Sequence, residues 1–211
     1  MIDDLSNNRA YYPNKMGRFF LAALQDTLVQ DGYNDLLEWA DLAHYAESMP
    51  VDNWTRAFDF ETIAKLNQGL SELFGPRGAR SLALRTGRGF FRSGLEEIGA
   101  LAGVIDLARG SLPLQTKLKN GLTAVARMFS QTSDQTTWLV AQELQFFYHV
   151  DPCPVCWQRT AESPICFITV GFLQEALCML SDGQDHRVQQ TTCKAMGEDS
   201  CIFRIDREPI K

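Results

Sequence analysis

The sequence predicts an α+β fold, an antiparallel sheet packed with a helical N-terminal portion. Three observations predict it. Apolar residues recur at helical spacing through the first 130 positions, the period changes to alternation at Thr136, and two short alternating runs close the chain around a turn. Helices followed by antiparallel strands are the signature of that class. Phe19, Phe20, Ala23, Leu24, Thr27 and Leu28 share one helix face, as do Leu36, Leu37, Ala40, Ala43 and His44. Asp59 reads as the cap of a helix carrying Ile63, Leu66, Leu70 and Leu73, which Gly75-Pro76 should stop. A further apolar stretch runs from Ala79 through Phe90, Phe91 and Leu95. The segment 99–111 reads as a short helix or a connecting loop. Pro113 opens a helix with Leu118, Leu122, Val125 and Phe129, closed by Ser130 to Asp134.

From Thr136 to Val150 the residues Trp138, Val140, Leu144, Phe146, Tyr148 and Val150 occupy even positions, which predicts one long strand with a buried face. A loop, 151–164, holds Cys153-Pro154-Val155-Cys156. A helix follows with Val170, Leu173, Leu177 and Leu180, ending near Asp182-Gly183. Strands over 187–195 and 200–206 flank the turn Met196-Gly197-Glu198-Asp199. The whole chain, 1–211, reads as a single domain, mainly helical over 1–135, then strand, C-x-x-C loop, helix and cysteine hairpin over 136–211.

Composition removes several function classes. The chain has 211 residues, 45% of them hydrophobic and 22% charged, which is ordinary for a folded domain and needs no disulfide for stability. The net charge of −6 argues against nucleic acid as a partner, because phosphate binding rests on cationic side chains. The run 165–173 is about half the length of a membrane span. The polar N-terminus shows no secretory signal, so a cytoplasmic protein is expected. Gly87-Arg88-Gly89 follows no strand and makes no dinucleotide fingerprint; close helix packing is its simpler use. His44, His149 and His186 lack metal-ligand spacing. No serine elbow, P-loop or zinc-protease motif is present.

The cysteines are the abnormal feature. All six lie between Cys153 and Cys201. Random placement would do this about twice in ten thousand, so the cluster needs a local cause. A reducing compartment favours metal over disulfides, although reactive or structural thiols stay open. With the hairpin turn at Gly197, Cys193 faces Cys201 across the strands, close enough for a shared metal or for a disulfide. The C-x-x-C at Cys153 and Cys156 is a common source of two zinc ligands, and redox dithiols share the spacing. Cys178 lies about 120° around the helix from Cys166 and reads as a small buried hydrophobe.

These segments resemble a known family. Cys153-Pro154-Val155-Cys156, the stretch from Pro164 through Cys166 to Gly171-Phe172, and the stretch from Cys193 through Gly197 to Cys201-Ile202-Phe203-Arg204 are similar to the 4-vinyl reductase domain family. That family includes hydrocarbon-binding proteins, a protein tied to bacteriochlorophyll synthesis and the sensor domains of aromatic-responsive activators, and its fold is similar to TRAPP subunits. The resemblance covers about the last 60 residues; the upstream helices agree only in layout. It implies a homodimer with an apolar cavity beside a zinc site. In the phenol-sensing relatives three cysteines and a glutamate hold the zinc. Carried over, the cysteines are Cys166, Cys193 and Cys201, and the glutamate position is Gln190. An amide is a poor zinc ligand, so the fourth ligand is expected from Cys156, with Cys153 as the alternate. Trp138, Phe146, Tyr148 and Val170 are the expected ligand-binding residues, although the aromatic face also reads as plain core.

The expected function is a zinc-containing domain that binds or senses an apolar or aromatic small molecule. A vinyl reductase or accessory factor in chlorophyll synthesis is the alternative, and it would need a redox cofactor for which no fingerprint is seen. A protein-interaction scaffold is the third reading. An enzyme is the less favoured outcome.

Overall fold

The computed structural model of the protein describes residues 9–97, 104–106, 108 and 110–210. Most of the segment 99–111 lies outside the described residues. A short strand β1 (Tyr11–Pro13) leads into α1 (Asn14–Trp39), a single turn α2 (His44–Glu47) and β2 (Arg56–Asp59), which pairs antiparallel with β1. Then come α3 (Phe60–Glu97) and α4 (Leu114–Thr132). The remainder is β3 (Thr136–Ala141), β4 (Gln145–Asp151), α5 (Phe167–Leu180), β5 (His186–Thr192) and β6 (Cys201–Pro209). The last four strands form one antiparallel sheet in the order β3-β4-β6-β5. The fold is α+β. Among the described residues no helix is long and apolar enough to cross a membrane.

Local chemistry explains the boundaries. The Asp59 side chain accepts the backbone N–H of Glu61 at 2.9 Å, capping α3. Gly75 does not end that helix. It breaks it, with φ at +67°, and Pro76 restarts the helix where a missing N–H costs nothing. A matching break in α1 sits at Val29, whose φ of 60° is a strained value for a β-branched residue.

The expected long strand is two strands. Gln142 N–H donates to the Gln145 carbonyl at 2.9 Å and turns the chain into a hairpin. The turn also changes which parity is buried. Thr137 faces inward on β3, whereas Phe146, Tyr148 and Val150 face inward on β4. Trp138 is thereby left 40% exposed, stacked on His149 with ring centroids 4.6 Å apart.

One apolar core joins helices and sheet, running from Phe20, Leu24 and Leu66 to Leu173, Phe203 and Ile205. α3 and α5 approach backbone to backbone within it. A Cβ at Gly87 would strike the Ile168 carbonyl, and one at Gly171 would strike the Leu84 carbonyl. Helices come this close only where side chains are absent, so Gly87 has the packing use its sequence context suggested. The contact fixes the start of α5, and with it Cys166, against α3.

Candidate functional site

Five of the six cysteines meet at one point. Cys153 and Cys156 come from a single 3-10 turn, Pro154–Cys156; Cys166 immediately precedes α5; Cys193 and Cys201 flank the β5–β6 turn. All five are buried and free of disulfides. The Sγ atoms of Cys153, Cys156, Cys166 and Cys201 all lie within 4.8 Å of one another. Individual separations are 3.6 Å for Cys153–Cys166, 3.4 Å for Cys156–Cys201 and 3.9 Å for Cys166–Cys201. A tetrahedral ion with metal–sulfur bonds of about 2.3 Å holds its sulfurs about 3.8 Å apart. The spacing therefore suits four thiolates around one ion. Cys193 lies 3.9 Å from Cys166 and is the fifth sulfur.

The electrostatics point the same way. Hydrogen bonds from Cys153 first, then from Cys166, Cys193 and Cys201, lower the pKa of Cys156 strongly, so this sulfur holds the thiolate. Burial pushes the Cys166 thiol up, aided by its neighbouring sulfurs. The Lys194 backbone N–H reaches Cys201 Sγ at 3.4 Å. The Arg159 guanidinium is drawn toward the charge of Cys156, Cys166 and Cys193, and its buried Nη1 makes no hydrogen bond. Pro152, Cys153, Cys156, Trp157, Arg159 and Lys194 line an open cleft of about 480 Å³, a path by which an ion can enter.

Two amides hold this frame, and sequence reasoning missed the role of both. Gln190 Oε1 accepts the backbone N–H of Cys166 at 2.9 Å, and its Nε2 donates to the Thr192 carbonyl at 3.1 Å. Asn67 on α3, 5% exposed, donates from Nδ2 to the carbonyls of Val155 and Ile165, both at 3.3 Å. Asn67 ties the C-x-x-C turn to the approach to α5. Its signal was available: it stands four residues after Ile63, a polar residue on an apolar helix face.

Beside the sulfurs is a mostly apolar cavity of about 30 Å³. Phe20, Phe90, Phe129 and Phe172 line it, with Tyr12 and Tyr148. Tyr12 donates to Gln135 Oε1. Burial pushes the Tyr148 phenol up, partly offset by the Thr137 hydroxyl, and the Tyr148 hydroxyl has no well-formed hydrogen bond among the described residues. Pro154 and Val155 of the cysteine turn, with Ile168 and Thr169 of α5, complete the wall.

The expected ligand residues do not all converge. Tyr148 lines the cavity. Phe146 is fully buried under the Arg207 guanidinium, 4.9 Å from its ring centroid. Val170 lines a separate groove with Arg80, Leu84 and Phe167, and Trp138 is on the outer face of the sheet. Cys178 stands on α5 outside the sulfur group.

Comparison with known proteins separates fold from family. Solved H-NOX proteins share the fold. The S. oneidensis protein in its Fe(II)NO state is 17% identical, with 92% of this chain and 98% of that chain covered at a TM-score of 0.56. The unliganded Fe(II) protein from K. algicida is 12% identical, covering 92% and 95% at 0.54. No curated protein matches the chain by sequence. The family comparison falls on the segment that supplies all five clustered sulfurs: residues 146–207 form a 4-vinyl reductase domain, the type that the cysteine motif resembles.

Proposed function

We propose that this protein is a zinc-containing domain that binds or senses a small apolar or aromatic molecule. The observation supporting the reading is a shared wall. Pro154 and Val155 lie between Cys153 and Cys156, Ile168 and Thr169 closely follow Cys166, and all four line the cavity. Cys153, Cys156, Cys166 and Cys201 would hold the ion, with Cys193 the alternative to Cys153 that the sequence favours. The bound ion supplies a cross-link between turn, helix and hairpin. Four thiolates around Zn²⁺ leave a charge of about −2, which Arg159 and Lys194 face. A reducing cytoplasm keeps five such thiols available.

The cavity holds about one or two water molecules as it stands, so an aromatic guest must displace a ring. Phe172 is the central one, with centroids 5.4 Å from both Phe90 and Phe129 and 5.1 Å from Phe91. It rides on α5, whose start carries Cys166. The Tyr148 hydroxyl would give the guest its polar contact.

Solved H-NOX proteins carry a haem and include Fe(II)NO and Fe(II)CO states. The residues here do not fit that group in this conformation. The cavity is about 30 Å³, and His44, His149 and His186 all lie outside its lining. The small volume favours a second reading, a protein-interaction scaffold.

Elemental analysis with native mass spectrometry, followed by a thermal-shift screen of aromatic compounds, tests the proposal. The expected result is about one zinc per chain and a stabilising aromatic ligand. A metal-free protein overturns the zinc reading. Zinc without any retained or stabilising ligand leaves the scaffold.

A further inference from the structure

β3 is an outer strand of the sheet, and among the described residues no strand pairs with its free edge. The turn decides which groups face that edge. Gln142 and Gln145 form a hydrogen-bonded pair, and bonded pairs recur at every second residue, so Val140–Phe147 and Trp138–His149 are bonded too. Thr137, Leu139 and Ala141 therefore turn their N–H and C=O groups outward. Thr137 supports the parity independently: its N–H donates to Ser130 Oγ at 2.8 Å, and that hydroxyl reaches the Thr137 carbonyl at 3.0 Å. At the other end, Arg207 Nη1 donates to the carbonyls of Gln142 and Glu143, both at 2.9 Å. Side chains thus close both ends of the edge. The open stretch is Leu139 to Ala141.

Natural edge strands are protected by lysine, proline, bulges or a covering segment. This one has no charged protection. Between Asp134 and His149 the only residue among Asp, Glu, Lys and Arg is Glu143, in a chain of net charge −6. Trp138 and Val140, each 40% exposed, stand on the outer face.

We propose that this edge is the contact between two copies of the chain, β3 pairing antiparallel with its counterpart about a two-fold axis through Val140. In that register Leu139 and the partner's Ala141 exchange two N–H···O bonds, and symmetry repeats the exchange. Thr137, already held by Ser130, falls opposite the partner's Glu143, whose carbonyl Arg207 holds, so neither closed end needs a new bond. The occupant must be as uncharged and as short as the edge itself. A second copy meets both conditions. The proposal is independent of zinc and of any small-molecule ligand.

Sedimentation velocity across micromolar concentrations tests it, with zinc content and thermal midpoint measured on the same samples. The wild-type chain is expected at twice 23.8 kDa. Ala141→Pro removes an outward N–H at an exposed residue, and Val140→Lys sets two like charges face to face at the axis. Both variants should run at half the wild-type mass with zinc content and midpoint unchanged. If Ala141→Pro does not fold, Val140→Lys decides alone. A wild-type monomer throughout, or a folded Val140→Lys variant that stays dimeric, overturns the proposal.

Discussion

Gln190 Oε1 accepts the backbone N–H of Cys166 at 2.9 Å, so the amide stands behind a sulfur instead of beside it as a ligand. In the phenol-sensing relatives the resemblance puts a zinc-binding glutamate at this position. Here the C-x-x-C turn brings extra sulfurs, and the residue is free to orient one. Gln190→Ala would leave the Cys166 N–H buried without a partner, at a cost of about 1 to 3 kcal/mol. Denaturant unfolding should show that loss, and transfer of zinc to a chromogenic chelator should accelerate. Gln190→Glu keeps an acceptor and should recover most of the stability. Equal stability of Gln190→Ala and wild type would show that the hydrogen bond contributes nothing.

The sulfur geometry separates two alternative sets of ligands. Cys156, Cys166 and Cys201 belong to both, so serine at any of them should abolish zinc binding and loosen the β5–β6 turn. The mutual closeness of Cys153 with those three predicts that Cys153→Ser also loses zinc, while Cys193→Ser retains it with weaker affinity. The opposite pattern would assign Cys193 as the ligand. Cys178→Ala should leave the zinc content unchanged. Acidification should release the ion from the intact site, because protons and metal compete for the same thiolates. Zinc-dependent stability is thus present at neutral pH and lost as pH falls.

The metal region was legible because cysteine is rare and its local spacing is informative. The C-x-x-C, the turn at Gly197 and the position of Cys166 are short-range features, and the structure brings them together. The cavity was not legible. Its wall mixes Tyr12, Phe20, Phe90 and Phe172 from elements far apart in sequence, a three-dimensional fact that periodicity does not carry. Alternation also misled at Trp138, because the hairpin at Gln142–Gln145 reverses the buried parity while the even spacing of apolar residues continues. The β1–β2 pair escaped notice for a different reason. Three or four residues are too few to show a period.

The helix crossing that carries Cys166 gives a prediction free of metal chemistry. Added methyl groups at Gly87 or Gly171 would meet backbone carbonyls, which cannot rotate away as side chains do. Overpacking of this kind costs about 1 to 3 kcal/mol, and rigid backbone puts these sites at the upper end. Gly87→Ala and Gly171→Ala should each lower the thermal midpoint, whether or not zinc is present. Gly183→Ala, where nothing stands within 4 Å of the added carbon but φ is +92°, should cost less, no more than a left-handed alanine does. A crossing that tolerates both alanines would mean the helices can slide, and α5 would no longer count as a fixed support for Cys166.

Two phenylalanines distinguish a ligand cavity from solid core. Phe172 lines the cavity at the centre of its rings, whereas Phe146 is buried beneath Arg207 and is not part of the lining. Truncating either to alanine removes similar apolar volume, so both should destabilise the protein by about 3 to 5 kcal/mol. Rescue should differ. Phe172→Ala joins new space to the existing cavity, and a small aromatic such as indole should fill it and raise the thermal midpoint. At a hundred times the dissociation constant, mass action restores about 2.7 kcal/mol. Phe146→Ala leaves a hole with no connection to that wall, and indole should leave its midpoint unchanged. Tyr148→Phe removes the unpaired hydroxyl without changing the shape, so it should keep the fold while weakening ligands that accept a hydrogen bond. If indole stabilises neither alanine variant, the rings around Phe172 are packing alone, and the function of the domain has to be sought on its surface.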